Sequence, residues 1–241
     1  MNLLGSYAVT DYAPWVADVW GFAKDGREFA LLCCGNKLRV LDCTDPANIV
    51  LASEVDQPVT ASDLKDVKVW GDYAYACQEL GDVLVVDISD PDAAALVGSI
   101  PQEEICWPTP CEFAPNGGCH NLWIDERGYL FLLGVHFRAT LIYDLASDPV
   151  HPRLVSSYNP GSIHDLCAFD GIAYLANPDP VQPEWEMVDF TDVLNPVRIT
   201  GMSYEDPQYI HSCWPTDDRN YLLTTAEGAG DISSSSTSVI P

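Results

Sequence analysis

Three of the five histidines, His120, His164 and His211, each open a β-type apolar run: His120-Asn-Leu-Trp, His164-Asp-Leu-Cys and His211-Ser-Cys-Trp. When these runs and their two upstream counterparts are superimposed, the histidine position is filled by Ala17 and Lys65 in the earlier copies. The next position carries Asp18, Asp66, Asn121, Asp165 and Ser212. Imidazoles gathered at one place could ligate zinc, iron, copper or manganese, and the adjoining carboxylates could orient them. A metal held there could polarise a carbonyl or activate water. The competing reading is structural: histidine and aspartate at a strand start hydrogen-bond the neighbouring sheet, and no metal is needed. Lys65 adds positive charge to the same row and counts against a cation.

The remaining reactive residues are less specific. Cys33, Cys34, Cys43, Cys77, Cys167 and Cys213 fall in strand-like apolar runs, where cysteine serves as a small buried hydrophobe. Cys106, Cys111 and Cys119 lie in or beside a Pro/Gly-rich stretch. A Cys106–Cys111 disulfide in an exported protein and a weak zinc set are both compatible with that spacing. Trp107, inside Cys106-Trp-Pro-Thr-Pro-Cys111, is the best placed aromatic for contacting a ligand from a loop. His151 sits in an Asp148-Pro-Val-His-Pro152 turn and reads as a solvated loop residue. The paired aspartates Asp42/Asp45 and Asp87/Asp90 could be taken for calcium loops, yet their regular place after a strand favours turn capping. No nucleophile elbow, phosphate loop, dinucleotide fingerprint, HExxH or EF-hand spacing occurs.

What must position these residues is a repeat. Leu38-Arg-Val-Leu-Asp42, Val83-Leu-Val-Val-Asp87, Thr140-Leu-Ile-Tyr-Asp144 and Trp185-Glu-Met-Val-Asp189 are one phrase, ended by an Asp-rich turn. The steps are 45, 57 and 45 residues, the long one holding an insertion at 99–118. Ahead of the phrase lie two strands joined at Gly71, Gly128 or Gly171, and behind it a further strand such as Leu96-Val-Gly-Ser-Ile100. Four short antiparallel strands in about 45 residues is the size of one β-propeller blade. The predicted fold is therefore all-β, a propeller of four-stranded blades at about 15–55, 62–100, 119–158 and 163–203. A fifth blade is shared between the termini, 209–228 plus 3–8, because Leu3-Leu-Gly-Ser-Tyr7 repeats the outer-strand phrase. Residues 1–228 form one domain in this scheme and 229–241 a low-complexity tail. A truncated larger propeller is the equal alternative, and a β-sandwich the structural rival.

These phrases, together with Asp18-Val-Trp-Gly-Phe, His120-Asn-Leu, His164-Asp-Leu and Tyr209-Ile-His-Ser-Cys-Trp-Pro-Thr-Asp-Asp-Arg219, resemble the LVIVD-repeat propellers. Among these, the choice-of-anchor B group of surface-associated proteins is the most similar, over residues 1 to about 227. The resemblance implies a propeller placed outside the cytoplasm, periplasmic, extracellular or on the cell surface. It implies no particular reaction, since the group lacks an agreed one and fold does not confer function. Two departures stand out: the chain ends inside a blade, and Met1 to Trp15 shows no basic and apolar leader, so a cytosolic protein and a processed form both remain open.

Bulk composition narrows the partners. With 36 acidic and 11 basic residues the formal charge is −25, which repels phosphate backbones and anionic membranes. Neither nucleic acid nor direct membrane insertion is expected, and no stretch approaches the roughly 20 apolar residues of a span. Two functional readings follow. One is a non-enzymatic binding or scaffold module that takes a protein or small-molecule ligand at the channel mouth and on the 99–118 insertion. The other is a metal-dependent enzyme, hydrolytic or oxidative, with its metal on His120, His164 and His211.

Overall fold

The computed structural model describes residues 2–10, 16–58, 62–105, 118–133, 139–159, 161, 163–177, 185–203, 210–226 and 235–239. It divides into two compact units, Met1–His120 with Pro149–His151, and Asn121–Asp148 with Pro152–Pro241.

The first unit holds two four-stranded antiparallel sheets whose strands follow chain order. Sheet one is β1 (Val16–Lys24), β2 (Arg27–Cys34), β3 (Lys37–Asp42) and β4 (Val50–Asp56); sheet two is β5 (Leu64–Trp70), β6 (Tyr73–Gln78), β7 (Val83–Asp87) and β8 (Ala95–Ile100). The middle strands are largely apolar on both faces, Arg39 of β3 being a buried exception paired with Glu54, and β7 is buried from Val83 to Val86. Such a strand cannot have a wetted side, so the sheets must be covered on both faces. Leu31, Leu38 and Val40 of sheet one join Leu64, Val67, Leu84 and Val86 of sheet two in a single core. The outer strands are wetter: Val50, Leu51, Leu96 and Val97 remain exposed.

The second unit repeats the pattern. Sheet three is β9 (Asn121–Ile124), β10 (Tyr129–Leu133), β11 (Thr140–Asp144) and β12 (Arg153–Tyr158); sheet four is β13 (Asp165–Phe169), β14 (Ile172–Ala176), β15 (Trp185–Asp189) and β16 (Val197–Met202). The Trp123 indole N–H donates to the Ala168 carbonyl at 3.0 Å, tying β9 to β13.

Two local devices recur. Each closing-phrase aspartate caps its turn by accepting the amide two residues on: Asp42 from Thr44 at 2.9 Å, Asp87 from Ser89 at 2.8 Å, Asp144 from Ala146 at 2.9 Å and Asp189 from Thr191 at 2.7 Å. Asp45, Asp90 and Asp192 repeat this three residues later. These are Asx turns, as the spacing suggested. The third and fourth strands of all four sheets also slip register at the same point, Val40/Leu41, Val85/Val86, Ile142/Tyr143 and Met187/Val188. One extra residue on the outer strand, Val97 in sheet two, makes a bulge that bends it. The hairpin glycines Gly71, Gly128 and Gly171 have φ of 61°, 83° and 81°, the left-handed region that such turns require.

The last sheet corrects the expectation. Residues 2–10 form no strand, and Gly5 instead lies so close to the Pro46 carbonyl that a Cβ would not fit. The third strand beside β17 (Ile210–Pro215) and β18 (Tyr221–Ala226) is β19 (Ser235–Val239), drawn from the stretch read as a low-complexity tail. The unpaired edge of β18 is a template for any extended segment that can reach it, and a Ser/Thr/Val run is compatible with the pleat. Among the described residues no helix is long and apolar enough to cross a membrane.

Candidate functional site

The row of strand-start residues is distributed over both units. In the first unit, Asp18 on β1 and Asp66 on β5 flank Lys68, a residue the sequence reading passed over. Asp66 is 2% exposed and Lys68 8%. The Lys68 ammonium pairs with Asp66, donates to Asp18 at 3.1 Å, and stands 4.7 Å from the Trp20 ring centre. Burial pushes the Asp66 carboxyl up, reinforced by its hydrogen bond with Asp18, to about 8. Burial alone would raise Asp18 too, but the Asp66 hydrogen bond and the Lys68 charge bring it below its ordinary value. Burial opposes the Lys68 charge, and the two carboxyls more than restore it. The result is a protonated Asp66, an ionised Asp18 and an ammonium between them, with no net charge left buried. The i, i+2 spacing of Asp66 and Lys68, which puts both on one face of a strand, was the signal available in the sequence.

Lys65 points elsewhere, to Glu79 at 3.7 Å, and the His120 Nδ1–H meets the same carboxylate at 3.0 Å. Glu79 follows the second strand, and nothing in the repeat phrases singled it out.

In the second unit His164 and His211 do come together, their rings 4.0 Å apart and tilted by 41°. His164 Nδ1–H donates to the His211 carbonyl at 2.8 Å, which fixes the tautomer and leaves Nε2 as the ring's lone-pair nitrogen when neutral. The Asn121 amide donates to the His164 carbonyl at 3.0 Å, the Asp165 carboxylate accepts the Leu166 N–H at 2.8 Å, and Ser212 bonds Thr225 at 2.6 Å. Each of these side chains holds backbone or a neighbouring strand. Among the described residues no three His, Cys, Asp or Glu side chains stand together so as to hold a metal ion.

The described cysteines are free thiols, and all but Cys43 are buried. Cys167 donates to the Cys213 carbonyl at 3.4 Å and Cys213 to the Tyr174 carbonyl at 3.3 Å. Burial raises the Cys33 thiol, burial and Cys119 raise Cys77, and the hydrogen bond with Cys167 together with burial raises Cys213. Thiols held protonated in this way are poor nucleophiles. Cys106, Trp107 and Cys111 of the insertion lie outside the described residues.

A cavity of about 560 Å³ opens beside sheet two, where β8 runs into the insertion. Pro58, Leu84, Leu96 and Val97 supply its apolar wall, and Gln78, Asp82, Ser99 and Gln102 its polar one. Sequence reasoning missed it, because its described walls come from three separate stretches of chain.

Comparison with known proteins agrees with the repeat. Residues 61–101, the second repeat, match the LVIVD repeat family. No curated protein matches the chain. Among solved structures, a functionally unknown protein from Desulfotomaculum acetoxidans is similar at 10% identity and a TM-score of 0.64, covering 88% of this chain and 63% of its own length. The periplasmic gluconolactonase of Pseudomonas aeruginosa is similar at 15% identity and a TM-score of 0.62, over 85% of this chain and 63% of that one. A Lactobacillus plantarum protein is similar at 10% identity and a TM-score of 0.66, over 94% and 70%. These neighbours are propeller-like, and at such identities the likeness concerns the fold alone. The chain spans about 63% of the length of the first two of them.

Proposed function

We propose that this chain, which carries an LVIVD repeat at residues 61–101, is a β-propeller acting as a non-catalytic binding module outside the cytoplasm. Its sheets close around a channel lined by the first strand of each repeat, and the 99–118 insertion adds contact surface. The observation that carries the reading is the occupation of the strand-start side chains. Asn121 and Asp165 are spent on holding the backbone, His164 is anchored there through Nδ1, and Asp66 is neutralised between Lys68 and Asp18. A general base or a metal ligand set needs groups turned toward a reactant, and, the Nε2 of His164 apart, these are turned toward the protein.

Gluconolactonase activity belongs to one structural neighbour; at 15% identity nothing carries it over to these residues. Metal analysis tests the reading. Protein produced with zinc, iron, copper and manganese supplied, and purified without chelator, is expected to hold well below one metal per chain. Stoichiometric metal that disappears in the triple variant His120→Ala, His164→Ala, His211→Ala overturns the non-catalytic reading. X-ray scattering in solution tests closure, which predicts a compact disc-like particle, not two beads separated by a variable distance.

A further inference from the structure

The cavity beside sheet two has a definite chemistry. Its one charged described wall residue is Asp82, whose carboxylate accepts from the Ser99 hydroxyl at 2.7 Å and from the Gln102 N–H at 3.0 Å. That fixes the carboxylate in place and leaves each oxygen one further lone pair. The Gln78 amide donates through Nε2 to the Asp82 carbonyl at 3.1 Å, and its Oε1 is buried without a hydrogen-bond partner. Gly81, at φ 130°, closes over that amide; a Cβ there would come within 2.6 Å of Nε2. The polar wall thus carries one fixed carboxylate beside the carboxamides of Gln78 and Gln102, and no lysine or arginine is among the described lining residues to balance its charge. Leu84, Leu96, Val97 and Pro58 form an aliphatic wall opposite, with no aromatic ring among the described lining residues.

We propose that this cavity binds a small aliphatic primary amine in its ammonium form. An ammonium brings three donors and no acceptor, which suits a wall that offers acceptors. Its methylene body suits the leucine and valine side, and the volume falls in the range of small-molecule sites. The −25 charge of the whole chain raises the local concentration of cations and lowers that of carboxylates and phosphates. The proposal rests on the binding-module reading and gives it a ligand class and a site.

The test is titration calorimetry with butylamine and 1,4-diaminobutane as probes, set against 1-butanol, glucose and butyrate, at low salt and at about 0.15 M ionic strength. One saturable amine site that survives the higher salt is expected, with the three comparison compounds inert. Asp82→Asn is expected to weaken binding by about tenfold or more, as loss of a charge-assisted hydrogen bond does. Since Asp82 also organises its loop, Leu96→Lys serves as the second variant: it adds a positive charge at the rim, leaves the Asp82 bonds alone, and is expected to weaken binding comparably. Amine binding that is non-saturable, or equal in wild type and both folded variants, marks diffuse attraction to the acidic surface and overturns the site. Glucose binding lost in the variants overturns the amine assignment, as does silence from every probe. Failure of the underlying reading shows separately, as stoichiometric metal on the histidines.

Discussion

Asp66 lies at the base of β5 between Asp18 and Lys68, and its protonation ties stability to pH in a direction that can be worked out. A carboxyl raised to about 8 in the fold stays protonated where the unfolded chain, near 3.9, has already ionised. The folded state then binds the extra proton, so this contribution is complete below about pH 4, shrinks as pH rises, and is gone above about 8. Asp66→Asn keeps a neutral group of the same shape. The wild type is expected to lose thermal midpoint between about pH 5 and 8 and this variant to flatten that fall; an unchanged slope in the variant would place the proton elsewhere. Asp66→Ala leaves the Lys68 ammonium its ion pair with Asp18 but removes a buried hydrogen-bonding partner of both, and is expected to cost about 1–3 kcal/mol in denaturant melts. At this scale the sequence was partly legible. The His164 and His211 positions were found from repeat alignment, and the structure pairs their rings. Lys68 was passed over although its i, i+2 spacing from Asp66 was readable, and Glu79 was not found, because a partner chosen across strands leaves no mark in a local phrase.

The elements make a different claim, that the aspartate turns and the outer-strand bulge are structural devices repeated in each sheet. The Asp87 carboxylate accepts the Ser89 N–H, and the Ser89 hydrogen bonds hold it below the usual carboxylate range. Asp87→Ala is expected to lower stability by about 1 kcal/mol, the worth of one turn hydrogen bond, and added calcium is expected to leave the melt of either protein unchanged. Gly98 follows the bulged Val97, and a Cβ there would lie 2.7 Å from the Val150 carbonyl. Gly98→Ala therefore forces backbone apart and is expected to cost about 1–3 kcal/mol by chemical denaturation. Strands, hairpins and turns were readable because each is encoded by its own few residues. The final sheet was not, since Leu3–Tyr7 and Ser235–Val239 are both acceptable strands and only the packed molecule chooses between them.

Across the whole molecule the dominant quantity is the −25 charge, set by 36 acidic residues against 11 basic ones. Self-repulsion of that size is weakened by salt, so the thermal midpoint is expected to climb between about 0.01 M and 0.15 M ionic strength as the Debye length contracts from about 30 Å to 8 Å. A flat salt response would mean that local ion pairs such as Lys24–Asp72 and Arg27–Asp42 already balance the repulsion. The buried thiols of Cys33, Cys77, Cys119, Cys167 and Cys213 are expected to resist an aromatic disulfide reagent in the native state and to react once denaturant is added. The repeated apolar strand phrases, the hairpin glycines and the paired aspartates by themselves determined an all-β chain of repeated four-stranded sheets, because strand and turn preferences act within a few residues. Only the tertiary structure decided that Lys68 sits between two carboxyls, that the last sheet takes its third strand from 235–239, and that three separate stretches line a cavity around Asp82. Those outcomes depend on which surfaces meet, and that is settled by burial and hydrogen-bond satisfaction over the packed molecule.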